Sequence, residues 1–234
     1  MAKLFHIAVD GPVSAGKGTI CRLVAEKLNF LYIDTGAMYR VVALLAIKNK
    51  INFSNESKLV EILKKSTIEM RNPRGKEKDG RLITILLDNK DVSWEIRTEK
   101  VTEGSSKIAI HPKIRKILVK KQQEIAKNQN AIMEGRDITS NVLPNANLKI
   151  FLTADPEIRA KRRHTQYLHQ GINISLEDVF KDLIERDERE SNRKTNPMKI
   201  VPDAWVLDNS DLTIEENVDI IVAKTKSMMN EKNN

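Results

Sequence analysis

The sequence predicts an α/β fold: a central parallel sheet flanked by helices, with a small antiparallel insert and a short helical segment near the end. Three observations predict it. Short apolar segments alternate with stretches of helical periodicity along most of the chain, which is the pattern of a parallel sheet covered by helices. A glycine-rich loop separates the first apolar segment from the first helical stretch. A polar, strand-rich region at about residues 63–98 interrupts the alternation and is interpreted as the insert.

The first elements follow from local patterns. Leu4–Val9 is apolar and partly β-branched, as expected of a buried strand, and Gly11–Gly18 is a glycine-rich loop. Apolar residues at helical spacing then predict a helix from Lys17 to about Leu28. Phe30–Ile33 is a second short strand, and Met38–Lys48 is a second helix.

The middle of the chain carries the insert and a long helical region. Thr67–Met70 and Leu82–Leu87 are strand-like and flank a polar turn at Asn72–Gly80, which predicts a small antiparallel sheet. Helical patterning returns over Glu99–Lys127, with an interruption expected near His111-Pro112 because proline removes a backbone donor.

The last third completes the predicted sheet and its cover. Short apolar segments predict three strands, at Ala131–Met133, Leu148–Leu152 and Trp205–Leu207. Helical spacing predicts three helices, at Pro156–His169, Ser175–Arg189 and Ile214 to about Met229. No internal repeat or low-complexity linker divides the chain, so we expect one domain over residues 1–234.

Composition narrows the class of protein. The chain has 234 residues and a net charge of +8, which fits an anionic partner without choosing among nucleic acid, a membrane surface and phosphorylated small molecules. Its single cysteine, Cys21, excludes an intrachain disulfide and a multi-cysteine zinc site. No apolar run is long enough to span a membrane or to act as a secretion signal, so we expect a cytoplasmic protein that does not bind membranes.

The most specific motif is a phosphate-binding loop of the form G-x-x-x-x-G-K, lying between a predicted strand and a predicted helix. Its backbone N–H groups and the helix N-terminus suit the phosphates of a nucleoside triphosphate or a similar ligand, and Lys17 brings a positive charge to the β and γ phosphates. Gly18 stands where a serine or threonine is usual, so Thr19 is expected to reach Mg²⁺ through water. The predicted ATP-binding residues here are Gly11, Pro12, Val13, Ser14, Ala15, Gly16, Lys17, Gly18 and Thr19.

Several further motifs, in order along nearly the whole chain, resemble those of the bacterial cytidylate kinases, a branch of the P-loop nucleoside monophosphate kinases. The Gly-Lys-Gly-Thr sequence of the loop resembles the nucleoside monophosphate kinase branch. The family resemblance then rests on Ile33–Arg40 (I-D-T-G-A-M-Y-R), Ile96-Arg97, Gly135-Arg136-Asp137, Glu185–Arg189 and Val206-Leu207-Asp208. It implies the nucleoside monophosphate kinase fold, with an acceptor-binding insert at 63–98, a lid at 156–199, and a core of 1–62, 99–155 and 200–234.

The resemblance also implies the residues that bind the acceptor, CMP. Arg40, Arg136 and Arg193 match positions that hold its phosphate, beside Asp34 and Thr35. Asp137 matches the aspartate that reads the cytosine N4 amino group, with Arg115 and Ser106 as its partners. An acidic acceptor for N4 favours cytosine over uracil, whose O4 is itself an acceptor.

The lid motif carries the remaining implied residues. Arg186 matches a family residue near the ribose, and Glu190 stands where the family usually has aspartate for the sugar hydroxyls. Thr139 replaces a usual glycine in the segment after Asp137, a second departure from the family pattern. Three arginines of the preceding helix resemble the family's lid arginines near ATP: Arg159, Arg162 and Arg163.

The resemblance thus implies transfer of the γ-phosphoryl group of ATP to CMP or dCMP, giving ADP and CDP or dCDP, with Mg²⁺ as cofactor. The expected catalytic residues are Lys17, Arg136, Arg186 and Arg193. The expected protein is a monomer that does not bind nucleic acid. Three alternatives stay open on the residues alone: another small-molecule P-loop kinase, acting on UMP, AMP or shikimate; a P-loop ATPase that binds nucleic acid; and a nucleotide sensor without catalytic activity.

Overall fold

The computed structural model describes residues 4–169 and 171–231. Its main sheet has five strands in the spatial order β2-β6-β1-β7-β8. These strands are β1 (His6–Asp10), β2 (Leu31–Asp34), β6 (Ala131–Glu134), β7 (Leu148–Thr153) and β8 (Trp205–Asp208). β1 and β8 each pair in parallel with β7, with Ile7 opposite Leu148 and Ile150 opposite Trp205. The predicted α/β class with a central parallel sheet is therefore confirmed.

The predicted antiparallel insert is also present as a second sheet. It consists of β3 (Ile68–Arg71), β4 (Thr84–Leu87) and β5 (Lys90–Asp91) in sequential order. Arg71 pairs with Glu77, and Thr84 also donates a hydrogen bond to Glu77, so one carboxylate connects the turn to two strands. β4 begins at Thr84, two residues after the predicted start of this strand at Leu82.

Helices account for most of the remaining described residues. They are α1 (Lys17–Leu28), α2 (Thr35–Lys48), α3 (Glu56–Lys65), α4 (Glu99–Ile108), α5 (Pro112–Ala126), α6 (Pro156–His169), α7 (Leu176–Asn192) and α8 (Ile214–Glu231). The interruption expected at His111-Pro112 is confirmed, since α5 begins at Pro112, where the missing N–H costs no helical hydrogen bond.

Two helices differ from the sequence interpretation, and a side-chain cap marks the start of each. α2 begins at Thr35 rather than Met38, because the Asp34 carboxylate accepts a hydrogen bond from the Ala37 N–H and caps the helix. α3 was not predicted, although Asn55 caps it by the same kind of bond to Lys58 N–H. Leu59, Val60, Ile62 and Leu63 stand at helical spacing, and Leu59 and Leu63 are buried, so the sequence carried a periodic signal for this helix that the interpretation missed.

The chain forms two compact units. The first contains residues 30–133, in which α2 packs against α3, α4 and α5 around buried Leu59, Leu63 and Ile114. The second contains residues 5–29 and the segment from residue 134 onward. In it α1 packs against α8, α6 packs against α7, and β1 lies beside β7. In the part of the chain that the structure describes, no helix is both long enough and apolar enough to cross a membrane.

Candidate active site

The glycine-rich loop of the second unit runs from the end of β1 to the start of α1. Gly11 has a φ of 150°, and a Cβ there would lie 2.0 Å from the backbone oxygen of Leu152. Ser14 and Gly16 adopt left-handed conformations, with φ of 60° and 84°, and Gly16 caps α1. Such turns direct successive N–H groups to one side, as an anion-binding loop requires. The predicted strand–loop–helix context is therefore present.

Lys17 is buried at the first position of α1. Its ammonium donates hydrogen bonds to two carbonyls of its own loop, Gly11 O at 2.8 Å and Pro12 O at 2.6 Å. Burial, together with the nearby charge of Arg136, lowers the pKa of Lys17 to about 7, although Glu134 and Glu190 oppose this. The amine would therefore gain from an anionic partner that stabilises its charged form.

The back of the loop is supported from the end of β8. The Asn209 side chain donates a 2.8 Å hydrogen bond to Ala15 O. Arg162 in turn donates to the Asn209 side-chain oxygen at 2.8 Å and to its backbone oxygen at 2.9 Å. Asn209 is almost fully buried. Arg162, predicted to lie near ATP, is therefore joined to the loop through one intermediate residue.

The tip of the loop is held by α6 and α7. Asp187 accepts a 3.2 Å hydrogen bond from the Val13 N–H and pairs with Arg159 at 2.5 Å. Arg159 also donates to Val13 O at 3.2 Å and is 4% exposed. Arg163, the third predicted lid arginine, instead lies over the Tyr167 ring at 4.3 Å. The three arginines of α6 thus have three different sets of contacts.

Positive charge gathers around one carboxylate of α7. Glu190 pairs with Arg136 and with Arg186, the latter at 3.1 Å. Burial would raise the pKa of Glu190, but Arg136, Arg186 and Lys17 lower it to about 2. The structure therefore brings together four of the predicted residues, with Glu190 as the negative charge among three cations. This is the arrangement that a phosphate group would complete.

Arg193 and Asp137 form the next pair. Arg193 donates to Asp137 at 2.9 Å and to Asn196 O at 2.6 Å. Asn141 donates to the other oxygen of Asp137 at 3.0 Å. The segment after Asp137 is tied to β1, because the Ile138 and Thr139 N–H groups each donate to the Asp10 carboxylate at 2.8 Å.

The predicted acceptor residues of the first unit centre on Asp34. Its carboxylate pairs with Arg40 at 2.7 Å and with Arg97 at 3.1 Å while capping α2. Burial would raise the pKa of Asp34, but the two arginines lower it below its usual value. Among the described residues, the buried Nε of Arg40 has no hydrogen-bond partner. Thr35, the first residue of α2, is buried beside this cluster.

Arg115 and Ser106 lie on other helices of the same unit. The Arg115 guanidinium stands 5.6 Å from the centre of the Tyr39 ring and donates to Ala109 O at 3.3 Å. It is 3% exposed, so its charge is almost entirely buried. Ser106 is an exposed residue of α4.

The contact residues that were not among the predicted site residues include Asp10, Arg97, Asp187 and Asn209. The sequence pointed to Arg97, because the Ile96-Arg97 motif is part of the family resemblance, but no role was assigned to this residue. Asp10 directly precedes the first glycine of the loop, and Asn209 directly follows the last strand. Position at a strand's carboxyl end is a usable signal, because ligands of open α/β sheets bind there.

Comparison with known proteins identifies the family. The sequence model of the cytidylate kinase family matches residues 7–227. A cytidylate kinase of Bacillus cytotoxicus is 42% identical over 223 residues, covering 95% of this chain and 96% of the relative. One of Lysinibacillus sphaericus is 41% identical over 230 residues, covering 98% and 100%. A crystal structure of an uncharacterised protein from Eubacterium ventriosum shares the fold, with a TM-score of 0.51 at 14% identity and coverage of 96% and 99%. The chain therefore belongs to the cytidylate kinase family.

Proposed function

We propose that Lys17, Arg136, Arg186 and Arg193 carry the transfer of a phosphoryl group from ATP to CMP or dCMP in this chain. The activity itself follows from membership of the family: the protein is a (d)CMP kinase. The observation that supports the residue assignment is the convergence of Lys17, Arg136 and Arg186 around Glu190. An acceptor phosphate oxygen is already a nucleophile, so catalysis requires positioning and charge stabilisation rather than a base.

In this proposal the loop from Gly11 to Thr19 binds the triphosphate of ATP. Its backbone N–H groups and the start of α1 contact the phosphates, and Lys17 exchanges its two loop carbonyls for phosphate oxygens. Arg162 and Arg163 bind the nucleotide from α6. Arg159 contributes by holding the loop tip, because its guanidinium is already engaged by Val13 and Asp187.

The acceptor is bound by two groups of residues. Arg40, Arg136 and Arg193 hold the phosphate of CMP, and the unpartnered Nε of Arg40 is an available donor for it. Asp34 keeps Arg40 and Arg97 in place, and Thr35 lines the same cluster. Asp137 accepts from the cytosine N4 group, with Arg115 and Ser106 contacting the base, while Arg186 and Glu190 face the sugar.

Mg²⁺ is the proposed cofactor, held through water by Thr19 and directly by the phosphates. The hydroxyl of Thr19 is half-buried in the first turn of α1 and is a hard oxygen donor of the kind that Mg²⁺ prefers. Mg²⁺ sites of phosphoryl-transfer enzymes take few protein ligands because the substrate supplies the rest. When bound, the ion neutralises charge that develops on the phosphates.

We also propose that the chain is a cytoplasmic monomer that acts on free nucleotides and does not bind nucleic acid. The proposed architecture is one kinase domain in which 63–98 binds the acceptor and 156–199 forms the lid. Light scattering of the purified protein tests the monomer, and titration with labelled oligonucleotides at low salt tests the absence of nucleic-acid binding.

The deciding experiment measures ADP formation from magnesium-ATP with CMP, dCMP, UMP, AMP, GMP and shikimate in parallel, beside a control without acceptor. We expect strong turnover with CMP and dCMP, weak turnover with UMP, and background elsewhere. Asp137→Ala should then lower kcat/KM for CMP about 100-fold and reduce the preference for CMP over UMP. A variant that keeps the full preference would contradict the base-reading role of Asp137.

A further inference from the structure

The carboxylate of Asp187 occupies a position that the proposed residue roles do not explain. Asp187 lies on α7 next to Arg186 and one turn before Glu190. Its Oδ1 accepts from the Val13 N–H at 3.2 Å, and its Oδ2 accepts from Arg159 Nη1 at 2.5 Å. It therefore contacts the phosphate-binding loop through a backbone group, 174 residues away in sequence.

The same loop residue is held at two further points. Val13 O accepts from Arg159 Nη1 at 3.2 Å, and Arg159 Nε donates to Ala154 O at 2.9 Å, which anchors the guanidinium to the end of β7. The Val13 side chain packs against a small apolar cluster formed by Ala160, Val179 and Leu183 of α6 and α7. Both peptide groups and the side chain of Val13 are thus fixed by the two helices.

Fixing Val13 affects the backbone of the next residue, Ser14. Ser14 has a φ of 60°, a left-handed conformation that is costly for a residue with a side chain. A strained backbone conformation persists only where its surroundings hold it. Immobilising the Val13 peptide groups supplies that hold directly before Ser14, and the N–H groups expected to meet phosphate come after it.

We propose that Asp187, acting with Arg159, is a positioning residue that pre-organises the phosphate-binding loop for ATP. Asp187 itself touches neither nucleotide. The proposal rests on the proposed ATP site and deepens it by assigning a role to a residue outside it. Its chemistry is that of an ion pair: only a carboxylate can accept from the Val13 amide with one oxygen and from the guanidinium with the other while compensating the buried charge.

Asp187→Asn tests the ion pair with little change of shape, and Asp187→Leu removes both hydrogen bonds. Asp182→Asn is the matched control, since Asp182 is an exposed aspartate of the same helix. We expect Asp187→Asn to weaken binding of a non-hydrolysable ATP analogue about 10-fold and to lower kcat, and Asp187→Leu to lower kcat/KM for ATP about 100-fold. The Kd for CMP should stay within about twofold, because the acceptor residues are not fixed by Val13.

A double-mutant cycle with Arg159→Met separates positioning from direct contact. If the two residues act as one unit, the Arg159→Met loss of ATP affinity should almost vanish in the Asp187→Asn background. Equal effects in both backgrounds would overturn the proposal, because Arg159 would then act on ATP independently. Wild-type ATP affinity in Asp187→Asn would overturn it, as would equal losses for ATP and CMP with a lowered Tm. If the proposed function were wrong, the wild type and Asp182→Asn would also be inactive with CMP. That result is distinct from a failure of the positioning role alone.

Discussion

The hydroxyl of Thr139 donates a 2.6 Å hydrogen bond to Oδ2 of Asp10, a fully buried carboxylate at the end of β1. Asp10 also accepts from two backbone N–H groups, those of Ile138 and Thr139. Burial raises the pKa of Asp10, while these three bonds oppose the rise. Thr139 thus adds a donor to a carboxylate that ties the strand before the phosphate-binding loop to the segment after Asp137.

Thr139→Val should destabilise the protein, because it removes a donor from a buried carboxylate without changing side-chain shape. The expected loss is about 1–3 kcal/mol in the free energy of unfolding. Urea denaturation at pH 7 measures it, with Thr165→Val as the control, since Thr165 is an exposed helical threonine whose hydroxyl donates to Lys161 O. Equal losses of unfolding free energy in both variants would show that the bond to Asp10 stabilises the protein no more than an exposed helical hydrogen bond does.

Lys17→Met should abolish most turnover while leaving the fold intact. The ammonium is the loop's mobile charge for the phosphates, and such a charge is expected to contribute at least about 10²-fold to kcat. Because burial already disfavours the charged amine, an apolar side chain of similar length should not lower Tm. ADP formation with CMP measures the loss of turnover, and thermal unfolding measures Tm. A kcat near that of the wild type would contradict the assigned role.

Nucleotide binding should take up a proton at Lys17. In the free protein the pKa of Lys17 is lowered to about 7 by burial and by Arg136; bound phosphates favour the charged form and raise it. ATP affinity contributed by this lysine is therefore complete below pH 7 and falls as the pH rises above it. Calorimetry at pH 8 in buffers of different ionisation enthalpy should show uptake of about 0.9 proton, the neutral fraction expected for a pKa near 7. Lys17→Met should show none from this source.

Glu190 should make stability sensitive to acid. Its pKa is lowered to about 2 because Arg136, Arg186 and Lys17 outweigh burial. The pKa of Glu190 is therefore lower in the folded protein than in the unfolded chain, where it is about 4.3. The stabilisation that this carboxylate contributes is complete above about pH 4.3 and is lost as the pH falls toward 2. Glu190→Gln should therefore be less stable than wild type at pH 7, on the order of 2–4 kcal/mol, with the difference shrinking below about pH 4. A difference that is constant between pH 7 and pH 3.5 would contradict the charge argument.

Gly11→Ala should displace the phosphate-binding loop. The added Cβ would lie 2.0 Å from Leu152 O, a backbone atom that cannot rotate away. Gly80→Ala is the matched control, because Gly80 also has a positive φ, at 99°, but has open space around the Cβ position. We expect a large fall in Tm and loss of ATP binding for Gly11→Ala, against a small fall in Tm for the control. Similar behaviour of the two variants would assign the effect to φ alone.

Local patterns predicted most of the fold, and the reason is visible in particular elements. The strand, loop and helix around Lys17 are adjacent in sequence, and α5 begins at the proline that suggested its start. Long-range contacts could not be predicted in this way. Val13 meets Asp187 from 174 residues away and Ala15 meets Asn209 from 194, and neither pairing leaves a periodic or compositional trace. Family motifs identified Arg136, Arg186 and Glu190 as candidates, but only the fold shows that both arginines pair with the Glu190 carboxylate.

The bond between Asn209 and Ala15 has a consequence for how the protein is made. The phosphate-binding loop is translated before its rear support, which comes from the residue after β8, and β1 pairs with β7 only when residues 148–151 are present. A nascent chain that ends before β8 therefore holds the complete loop sequence without the tether that shapes it. The loop gains its rear tether only after β8 and Asn209 have been translated.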